Sequence, residues 1–418
     1  MEVKPGYKQT DVGVIPEEWE VLNLNCAAAI IDPQPDHRTP PECLGGDPYI
    51  GISDFLDESN IDWNASRKII PKAVDKQRAR FQIRARDIIF GKIGTIGLPK
   101  FVPDPHVRYA LSANVLLLQP RVESIFLMSW LRSDTFQRAV NSELHSTSQA
   151  AFGIRKMRRM LIPCPREPEQ RAIAEALSDV EALLGGLDRL IAKKRDLKQA
   201  AMHQLLTGNT RLPGFDGEWT RLNMAENSTL KARIGWQGLT IAEYLKTGEY
   251  FLVTGTDFYN GRIAWWNCCF VAAQRYTQDR NIQLRNNDIL LTKDGTIGKV
   301  AFVDELPGPA TLNSGVFVIR PKEDAYNPRF FFYILTSRVF DEFLTRLQAG
   351  STITHLYQKD FVNFAFPVPP TLTEQTAIAE VLTDMDAELE ALQQRREKTR
   401  ALKQGMMQEL LTGKTRLI

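Results

Sequence analysis

The feature that most constrains this fold is an internal repeat. Residues 169–212 align with residues 374–417 at a constant offset, and 24 of these 44 positions are identical. Two further blocks recur about 200 residues apart: RDIIFGKIGTIG matches NDILLTKDGTIG, and LSANVLLLQP matches LNSGVFVIRP. Self-similarity over blocks in a fixed order indicates a tandem architecture. The 418-residue chain is therefore predicted to contain two half-proteins built on one plan.

The two halves also contain regions that have diverged. Residues 32–84 have little in common with residues 232–285, although the blocks on either side of them match. The scaffold is thus duplicated while part of each half differs. This pattern favours a protein that needs two readers of different specificity on one symmetric frame.

The longest repeated block predicts a long helix in each half. Neither segment contains an internal proline, and Gly208 and Gly413 are natural helix ends. Each helix would cover roughly 37 residues, or about 55 Å. The apolar residues alternate at spacings of four and three, which is a heptad seam. The seam residues are Ile173, Leu177, Val180, Leu184, Leu187 and Ile191, then Ile378, Leu382, Met385, Leu389 and Leu392.

Two interpretations of these helices are open. Both could be solvated faces, or they could pack on each other in antiparallel orientation. The narrow apolar stripe favours pairing, because a lone helix this polar would be marginal in water. Basic residues that follow the seam would then face a polyanion or a protein partner: Lys193, Lys194, Arg195, Arg395, Arg396, Lys398 and Arg400.

The segments between the helices predict a mixed α/β (α+β) fold. DIIF, VLLL, DILLT and VFVI have the composition of buried strands, whereas FLMSWLRSDTFQRAV and RFFFYILTSRVFDEFLTRL have the pattern of amphipathic helices. We expect two similar globular domains separated by two long antiparallel helices, in a pseudo-twofold tandem repeat. The expected boundaries are residues 1–165, 166–212, 213–369 and 370–418, as domain, helix, domain and helix.

The glycine-rich blocks GKIGTIG and DGTIGK do not fit a nucleotide-binding loop. The phosphate loop needs G-x-x-x-x-G-K-[ST] and the dinucleotide loop needs G-x-G-x-x-G, whereas these glycines are three apart with no helix signal after them. A tight strand-to-strand turn with glycines at positive φ is expected instead. Contact between a phosphate and Lys92, Lys293 or Lys299 remains compatible with such a turn.

Local charge is more informative than the net charge of +2. Residues 67–86 contain eight basic side chains and one acidic one, and a second basic cluster spans residues 155–159. In the other half, basic residues are more scattered, with tryptophan and tyrosine between them. Such clusters are typical of nucleic-acid binders, although a solvated surface is the alternative.

Motifs for catalysis are incomplete in this sequence. Asn327-Pro328-Arg329-Phe330 and Asp47-Pro48-Tyr49 each lack one proline of the amino-methyltransferase motif, and no nuclease carboxylate–lysine spacing occurs. The five histidines have no metal-ligand spacing. The five cysteines include no C-x-x-C pair, and no apolar leader or membrane span is evident, so a cytoplasmic location is expected.

Taken together, the blocks resemble the specificity subunit (HsdS) of type I restriction–modification systems. The matching features are YKQTDVGVIPEEWEV, the paired GTIG turns, the IPCP…EQRAIAEAL and FPVPP…EQTAIAEVL segments, and the two helices that end in LLTG. The resemblance implies two target recognition domains, each of which reads half of an asymmetric DNA site. It implies that the helices set the spacer and dock methyltransferase subunits.

The resemblance also implies the partners. They are double-stranded DNA, two methyltransferase (modification) subunits and restriction/translocase subunits, without a membrane. S-adenosylmethionine, ATP and magnesium would be bound by the partner subunits, and this chain would hold no cofactor, no metal and no catalytic residue. The candidate DNA-binding residues are Arg67, Lys68, Arg78, Arg80, Arg84, Lys92, Thr95, Arg155, Lys156, Lys231, Arg233, Trp236, Lys293, Thr296, Ser351 and Thr352.

Two other classes of protein are compatible with parts of the pattern. A coiled-coil scaffold would use the helices to join other proteins and would have no salt-dependent affinity for DNA. A self-sufficient nuclease or methyltransferase is disfavoured by the incomplete motifs. The bases read by the domains do not follow from the sequence, because they depend on side-chain placement and DNA shape.

Overall fold

The structure, a computed structural model, describes residues 4–36, 38–57, 60–145, 151–234, 238–348 and 355–417. The chain divides into two compact units. Unit 1 comprises residues 1–188 and 394–418, and unit 2 comprises residues 189–393. Each unit therefore contains one globular domain and part of both long helices. The globular parts of units 1 and 2 are called the first and second domains below.

The first domain and the long helix after it contain these elements in chain order: β1 (Tyr7–Thr10), β2 (Gly13–Pro16), β3 (Glu20–Asn23), α1 (Leu24–Ala27), β4 (Ala28–Ile31), β5 (Glu42–Ile50), β6 (Lys68–Ile69), α2 (Pro71–Arg78), β7 (Ile88–Gly91), β8 (Pro99–Phe101), β9 (Ala110–Leu111), β10 (Val115–Pro120), α3 (Ser124–Arg132), α4 (Asp134–His145), α5 (Ile154–Arg159), β11 (Leu161–Cys164) and α6 (Glu167–Leu206).

The second domain and its long helix follow with these elements: β12 (Thr220–Asn223), α7 (Met224–Asn227), β13 (Ser228–Ala232), β14 (Tyr250–Val253), β15 (Phe258–Tyr259), β16 (Arg262–Ile263), β17 (Cys269–Val271), α8 (Ala273–Thr277), β18 (Ile289–Thr292), β19 (Val300–Phe302), β20 (Ala310–Leu312), β21 (Val316–Pro321), α9 (Pro328–Leu335), α10 (Arg338–Gln348), α11 (Gln358–Phe361), β22 (Ala365–Val368) and α12 (Leu372–Leu410).

The central sheets of the two domains have the same topology. The strand order is β4-β10-β7-β8 in the first domain and β13-β21-β18-β19 in the second, with antiparallel neighbours throughout. The short apolar runs predicted as buried strands form β7, β10, β18 and β21, and their apolar side chains are buried. A smaller sheet in each domain contains one parallel pair, β5 with β9 and β14 with β20. The predicted mixed α/β fold, repeated twice, is confirmed.

The two GTIG segments are turns between antiparallel strands, as predicted. One joins β7 to β8 and the other joins β18 to β19. Gly94 and Gly97 have φ values of +73° and +87°, and Gly295 and Gly298 have values of +69° and +88°. Residues with a Cβ rarely adopt these conformations, so the turns require the glycines.

The two long helices are α6, with 40 residues, and α12, with 39. Their predicted seam positions are buried or partly buried, and Gly208 and Gly413 follow them at φ values of +73° and +68°. In the described part of the chain, no helix has the length and apolarity needed to cross a membrane.

Within each unit, α6 and α12 pack in antiparallel orientation. In unit 1, Glu181 pairs with Lys403, and Asp188 pairs with Arg396. The partner's number falls as the position along α6 rises, which is the register of antiparallel helices. In unit 2, a similar register joins Lys194 to Glu388 and Lys198 to Asp386. The acidic first half of each helix thus faces the basic second half of the other, and the pairing interpretation is confirmed in each unit.

The predicted amphipathic segments differ from expectation in one respect, because each is divided into two helices. Ser133 separates α3 from α4, and its hydroxyl accepts a hydrogen bond from the backbone N–H of Phe136 at 3.2 Å. Ser337 lies between α9 and α10, and its hydroxyl accepts one from Val339 N–H at 3.2 Å. Serine favours helix N-caps over helix interiors, which explains both breaks.

The repeated ending LLTG-x-TRL closes the core of each unit. Leu410 and Leu411 belong to the main core of unit 1, and Leu205 and Leu206 belong to that of unit 2. A Cβ on Gly413 would lie 3.1 Å from the Trp19 ring, and one on Gly208 would lie 3.0 Å from the Trp219 ring. Trp19 and Trp219, near the start of each half, thus pack against the repeated ending of units 1 and 2, respectively.

Candidate nucleic-acid interface

Lys92 joins three segments of the first domain. Its side chain is buried, and its Nζ lies 2.7 Å from Oδ2 of Asp32, in the loop after β4. Its backbone N–H donates to the Asn114 carbonyl at 2.8 Å, and its carbonyl accepts from Phe152 N–H at 2.8 Å. The GKIGTIG turn, the loop after β4 and the segment before α5 therefore meet at this residue.

This meeting point forms one edge of the first domain, which we call the first turn edge and define as residues 91–98 and 151–159. Ile93 and Ala151 form an isolated antiparallel bridge, and Thr95 and Arg155 are exposed. Helix α5 has the sequence IRKMRR, with four basic side chains and no acidic one. Two of the basic side chains bond to carbonyls, Lys156 to Glu143 and Arg158 to Ile30. This edge has the charge expected of a phosphate-binding surface.

Arg80, from the basic cluster at residues 67–86, lies beside the same edge. Arg80 donates from Nη1 to the Pro33 carbonyl at 3.2 Å, next to the Asp32 that pairs with Lys92. Arg78 donates to the Val107 carbonyl at 2.6 Å and lies over the Tyr109 ring, and Arg84 is exposed. The Asp32–Pro33 loop therefore contacts both Lys92 of the GKIGTIG turn and Arg80 of the basic cluster.

Two other predicted residues of this cluster have partners within the domain. Arg67 pairs with Glu42 at 3.1 Å, and both side chains are largely exposed. Lys68 donates to the Trp63 carbonyl and, at 3.3 Å, to the Ser66 hydroxyl. A surface ion pair such as that of Arg67 can exchange for a phosphate at little cost.

The second domain has an equivalent edge, the second turn edge, defined as residues 292–299 and 355–361. Lys293 N–H donates to the Gly315 carbonyl at 2.9 Å, and the Lys293 carbonyl accepts from Leu356 N–H at 2.8 Å. The Lys293 Nζ lies 5.3 Å from the centroid of the Phe317 ring, and Thr296 is exposed. The predicted residues Trp236, Ser351 and Thr352 lie outside the described residues.

Arg233 is buried, with 1% of its surface exposed. Its Nε donates to the Leu312 carbonyl at 2.9 Å, and its Nη2 donates to the Thr311 hydroxyl at 3.2 Å. Burial, the largest influence, lowers its pKa from the usual arginine value. In the first domain Gln77 makes the equivalent bond, to the Leu111 carbonyl at 2.9 Å. Arg233 therefore stabilises the interior of the second domain. Lys231, on β13, is exposed.

The predicted residues include two contrasting environments. Lys92 and Arg233 use their charges inside the fold, which the sequence pattern did not indicate. Thr95, Arg155, Arg84, Lys231 and Thr296 are exposed on the two domains. The assignment of all these residues to DNA binding stays a prediction.

The two diverged regions share a small hairpin that was not predicted from the sequence. Asp54 Oδ2 accepts from Gly51 N–H at 2.7 Å, and Asp257 Oδ2 accepts from Thr254 N–H at 2.8 Å. After each aspartate, a phenylalanine pairs across the hairpin with an isoleucine, in Phe55–Ile61 and Phe258–Ile263. The signal was a D-F…I-x-W pattern, obscured by one residue of difference in loop length.

The described residues include no group of three or more His, Cys, Asp and Glu side chains that could hold a metal ion. Both turn edges present basic and hydroxyl side chains, and the second also presents the carboxylates of Asp294 and Asp360. Basic and hydroxyl groups bind phosphates and base edges.

The chain is similar to known proteins over most of its length. The family model of the type I restriction modification DNA specificity domain matches residues 16–192 and 239–399. A Methanocaldococcus jannaschii protein provisionally named the MjaX type I restriction enzyme specificity subunit is 25% identical over 98% of this chain and 97% of its own length. The MjaVIII specificity subunit of the same organism is 23% identical over 96% of this chain and 94% of its own length.

Solved structures show the same fold. The S subunit of a type I restriction–modification system from M. genitalium superposes with a TM-score of 0.58 at 14% identity, covering 98% of both chains. A second chain comes from a structural study of complex assembly and conformational transition in a type I R-M system. It has a TM-score of 0.57 at 18% identity, covering 96% of this chain and 99% of that one.

The family model covers most of the chain in two blocks, one in each half, so the resemblance drawn from the repeated motifs is confirmed. The chain therefore belongs to the type I restriction modification DNA specificity family, as a sequence-specificity subunit whose role is recognition rather than catalysis.

Proposed function

We propose that each domain reads one half of an asymmetric, bipartite double-stranded DNA site. The observation that carries this proposal is the pair of turn edges, which share a backbone framework and differ in side chains. Phosphate contacts would hold the duplex without regard to sequence, and side chains at base edges would discriminate. Two different edges on one framework suit two different half-sites.

The basic residues of the first turn edge support a phosphate contact there. Arg155 is exposed, and helix α5 has no acidic side chain. The second turn edge is less basic, because α11 contains both Lys359 and Asp360. The first domain is therefore expected to contribute more of the salt-dependent affinity, and the second to depend more on specific contacts.

The helices α6 and α12 would fix the spacer between the half-sites and dock two methyltransferase subunits. Relatives named as specificity subunits of type I restriction enzymes support this role. In the proposed complex, the partner subunits bind S-adenosylmethionine, ATP and magnesium, and restriction/translocase subunits join the same assembly. We propose that the assembly acts on cytoplasmic DNA.

Mapping methylated adenine in the host by long-read sequencing tests the proposal. The wild-type strain should show a bipartite motif that disappears when the gene is deleted and returns on complementation. Replacing residues 32–165 with those of a relative should change one half-site and leave the other intact. A methylation pattern that is unchanged by deletion would refute the proposed function in that host.

A further inference from the structure

The two turn edges contain a structurally equivalent pair of positions. In the first domain Ile93 bridges to Ala151, and in the second Asp294 bridges to His355. The neighbouring backbone contacts agree, since Phe152 N–H donates to the Lys92 carbonyl and Leu356 N–H donates to the Lys293 carbonyl, both at 2.8 Å. The bridge is therefore one feature of the shared framework, with different side chains in the two domains.

The side chains at the second bridge form a polar cluster. The Asp294 carboxylate pairs with Nδ1 of His355, and both side chains are partly exposed. The His355 ring lies 4.5 Å from the ring of Tyr357, which is 54% exposed. The Lys359 Nζ lies 5.5 Å from the centre of that same ring. This surface presents a carboxylate, an imidazole, a phenol and an ammonium group together.

The same positions in the first domain are chemically opposite. Ile93 is 40% exposed and Ala151 is partly buried, so the first bridge presents aliphatic groups. The turn backbone, by contrast, is common to both domains. The four GTIG residues are identical in the two domains and so cannot separate two half-sites, whereas the bridge positions differ.

A carboxylate on a DNA-facing edge restricts what can lie opposite it. Phosphates repel it, so it lowers sequence-independent affinity. A base edge that donates a hydrogen bond is compatible with a carboxylate opposite it. The exocyclic amino groups of cytosine and adenine are such donors in the major groove. An aliphatic side chain at the equivalent place suits the methyl group of thymine instead.

We propose that the bridge positions 93/151 and 294/355 are specificity-determining, with Asp294, oriented by His355, accepting a hydrogen bond from the exocyclic amino group of a cytosine or adenine in the second half-site. This inference rests on the proposed function and deepens it. Tyr357 lies beside the pair and restricts the space available to the base. His355 acts through Asp294 and is a positioning residue.

The test exchanges the bridge within the full chain in its assembled complex. Asp294→Ile with His355→Ala places the first domain's pair in the second domain. We expect the methylated motif to lose its cytosine or adenine preference at one position of the second half-site, by roughly 5- to 100-fold in relative methylation. The first half-site should remain as in the wild type.

Three further variants separate specificity from folding and charge. Asp294→Asn keeps the shape of the side chain and should relax the same position, because an amide both donates and accepts. Ile93→Asp with Ala151→His should alter the first half-site instead. Glu305→Gln removes an equal charge from the exposed loop between β19 and β20, and should leave the motif unchanged.

The outcomes distinguish this inference from the proposed function. If the wild-type complex shows no bipartite motif, the proposed function fails and this inference fails with it. If the wild type shows the motif, and the assembled Asp294→Asn and Ile93→Asp/Ala151→His complexes methylate it unchanged, only the bridge assignment is overturned. A motif altered at the same position by Glu305→Gln would also overturn it.

Discussion

Arg416 donates from Nη2 to Oε2 of Glu169 at 2.8 Å, across 247 residues of sequence. Glu169 also accepts from Trp19 Nε1 at 3.0 Å, and it is almost fully buried. The counterpart in unit 2 joins Arg211 Nε to Glu374 Oε1 at 2.7 Å. In each unit an arginine that follows one long helix holds the buried carboxylate at the start of the other.

The first prediction concerns this contact in unit 1. Replacing Arg416 with methionine leaves the Glu169 carboxylate buried without its cation, which is more costly than losing an exposed pair. Since Arg416 is itself 23% exposed, we expect a loss of about 2 kcal/mol rather than the full cost of a buried pair. Amide exchange of residues 163–177 should accelerate, with little change in residues 367–382.

The matched control is Arg211→Met, which should reverse the pattern and accelerate exchange at residues 367–382.

The pH dependence of stability supplies a second check on Arg416. The Arg416 guanidinium also donates a hydrogen bond to the Glu18 carboxylate, and this contact holds the pKa of Glu18 below its usual value. The stability that the Arg416–Glu18 contact contributes is therefore present above pH 4.5 and is lost as pH falls. The difference between wild type and Arg416→Met should therefore shrink in acid, and a constant difference would argue against the contact.

The second prediction concerns the glycine that ends each long helix. Gly413→Ala should destabilise unit 1 by about 2–3 kcal/mol, because the alanine would have to keep a positive φ and its Cβ would lie 2.5 Å from the Pro16 ring. Gly208→Ala, whose nearest contact would be 3.0 Å, should cost roughly 1–2 kcal/mol. Gly405→Ala, in the helix interior with no atom within 4 Å, should stabilise by about 0.5–1 kcal/mol. Chemical denaturation of the three variants measures their free energies of unfolding, and a different order would contradict the prediction.

The third prediction uses a difference between equivalent carboxylates. Asp288 binds Arg320 through two bonds of 2.6 and 2.7 Å, whereas its counterpart Asp87 accepts from Gln119 at 2.8 Å. Burial raises the pKa of Asp87, although its hydrogen bonds from Gln119 and from the Arg84 backbone oppose this. Gln119→Arg should supply the missing ion pair, lower the pKa of Asp87 and stabilise the first domain by roughly 1–2 kcal/mol at neutral pH.

The pH dependence of the stability gained by Gln119→Arg follows from the direction in which the pKa of Asp87 is shifted in each protein. With Gln119, the raised pKa means that stability from Asp87 falls as pH rises above the usual aspartate value of 3.8. With arginine, the lowered pKa makes stability rise with pH over the acid range. The benefit of Gln119→Arg should thus be present at pH 7 and vanish toward pH 3, and urea unfolding at both values measures it.

The fourth prediction separates DNA binding from a scaffold role. Arg84→Ala and Arg155→Ala should each weaken binding of the assembled complex to both specific and unrelated duplexes. Each should reduce the slope of log affinity against log salt by about 0.9, the value for one lost phosphate contact. Lys92→Met should not reduce the salt slope in this way, since its charge pairs with Asp32. If neither arginine changes a gel shift measured at two salt concentrations, these residues do not contact DNA.

The fifth prediction concerns the spacer. Inserting four residues at Gly185-Gly186 in α6 adds about 6 Å of helix. We expect the methylated motif to keep both half-sites and gain unread bases between them. A Cβ added at Gly186 would meet no atom within 4 Å, so the structure has room for a side chain at that position. A changed half-site with an unchanged gap would contradict a spacer role.

The repeated elements were predictable because their signals are local. The heptad seam, the GTIG turns and the short apolar strands each combine residue type with spacing, and Gly94 and Gly298 occupy conformations that few other residues adopt. The narrow apolar stripe indicated that the helices pair, and their antiparallel orientation was an expectation. The ion pairs between Glu181 and Lys403 and between Lys194 and Glu388 now provide its electrostatic basis.

The environments of the charged residues were not predictable, because they depend on partners far away in sequence. Lys92 and Arg84 look alike as charges in the sequence, yet Lys92 is buried against Asp32 and Arg84 is exposed. Arg233 replaces Gln77 as the side chain that bonds a β-strand carbonyl, a substitution between unrelated positions of the two halves. The bridge of Asp294 to His355 likewise required knowledge of which loops meet.

Unit 1 is discontinuous, since residues 394–417 complete a core that residues 12–177 begin, whereas unit 2 is one uninterrupted segment. During synthesis the ribosome delivers the early part of unit 1 first, but Leu410 and Leu411 emerge only after all of unit 2 has left the exit tunnel. The last core residues of the second domain are therefore made before those of the first, so the order in which the two cores can be completed is the reverse of the order in which they begin. Translational pausing or premature termination late in the message would damage the reader encoded earliest.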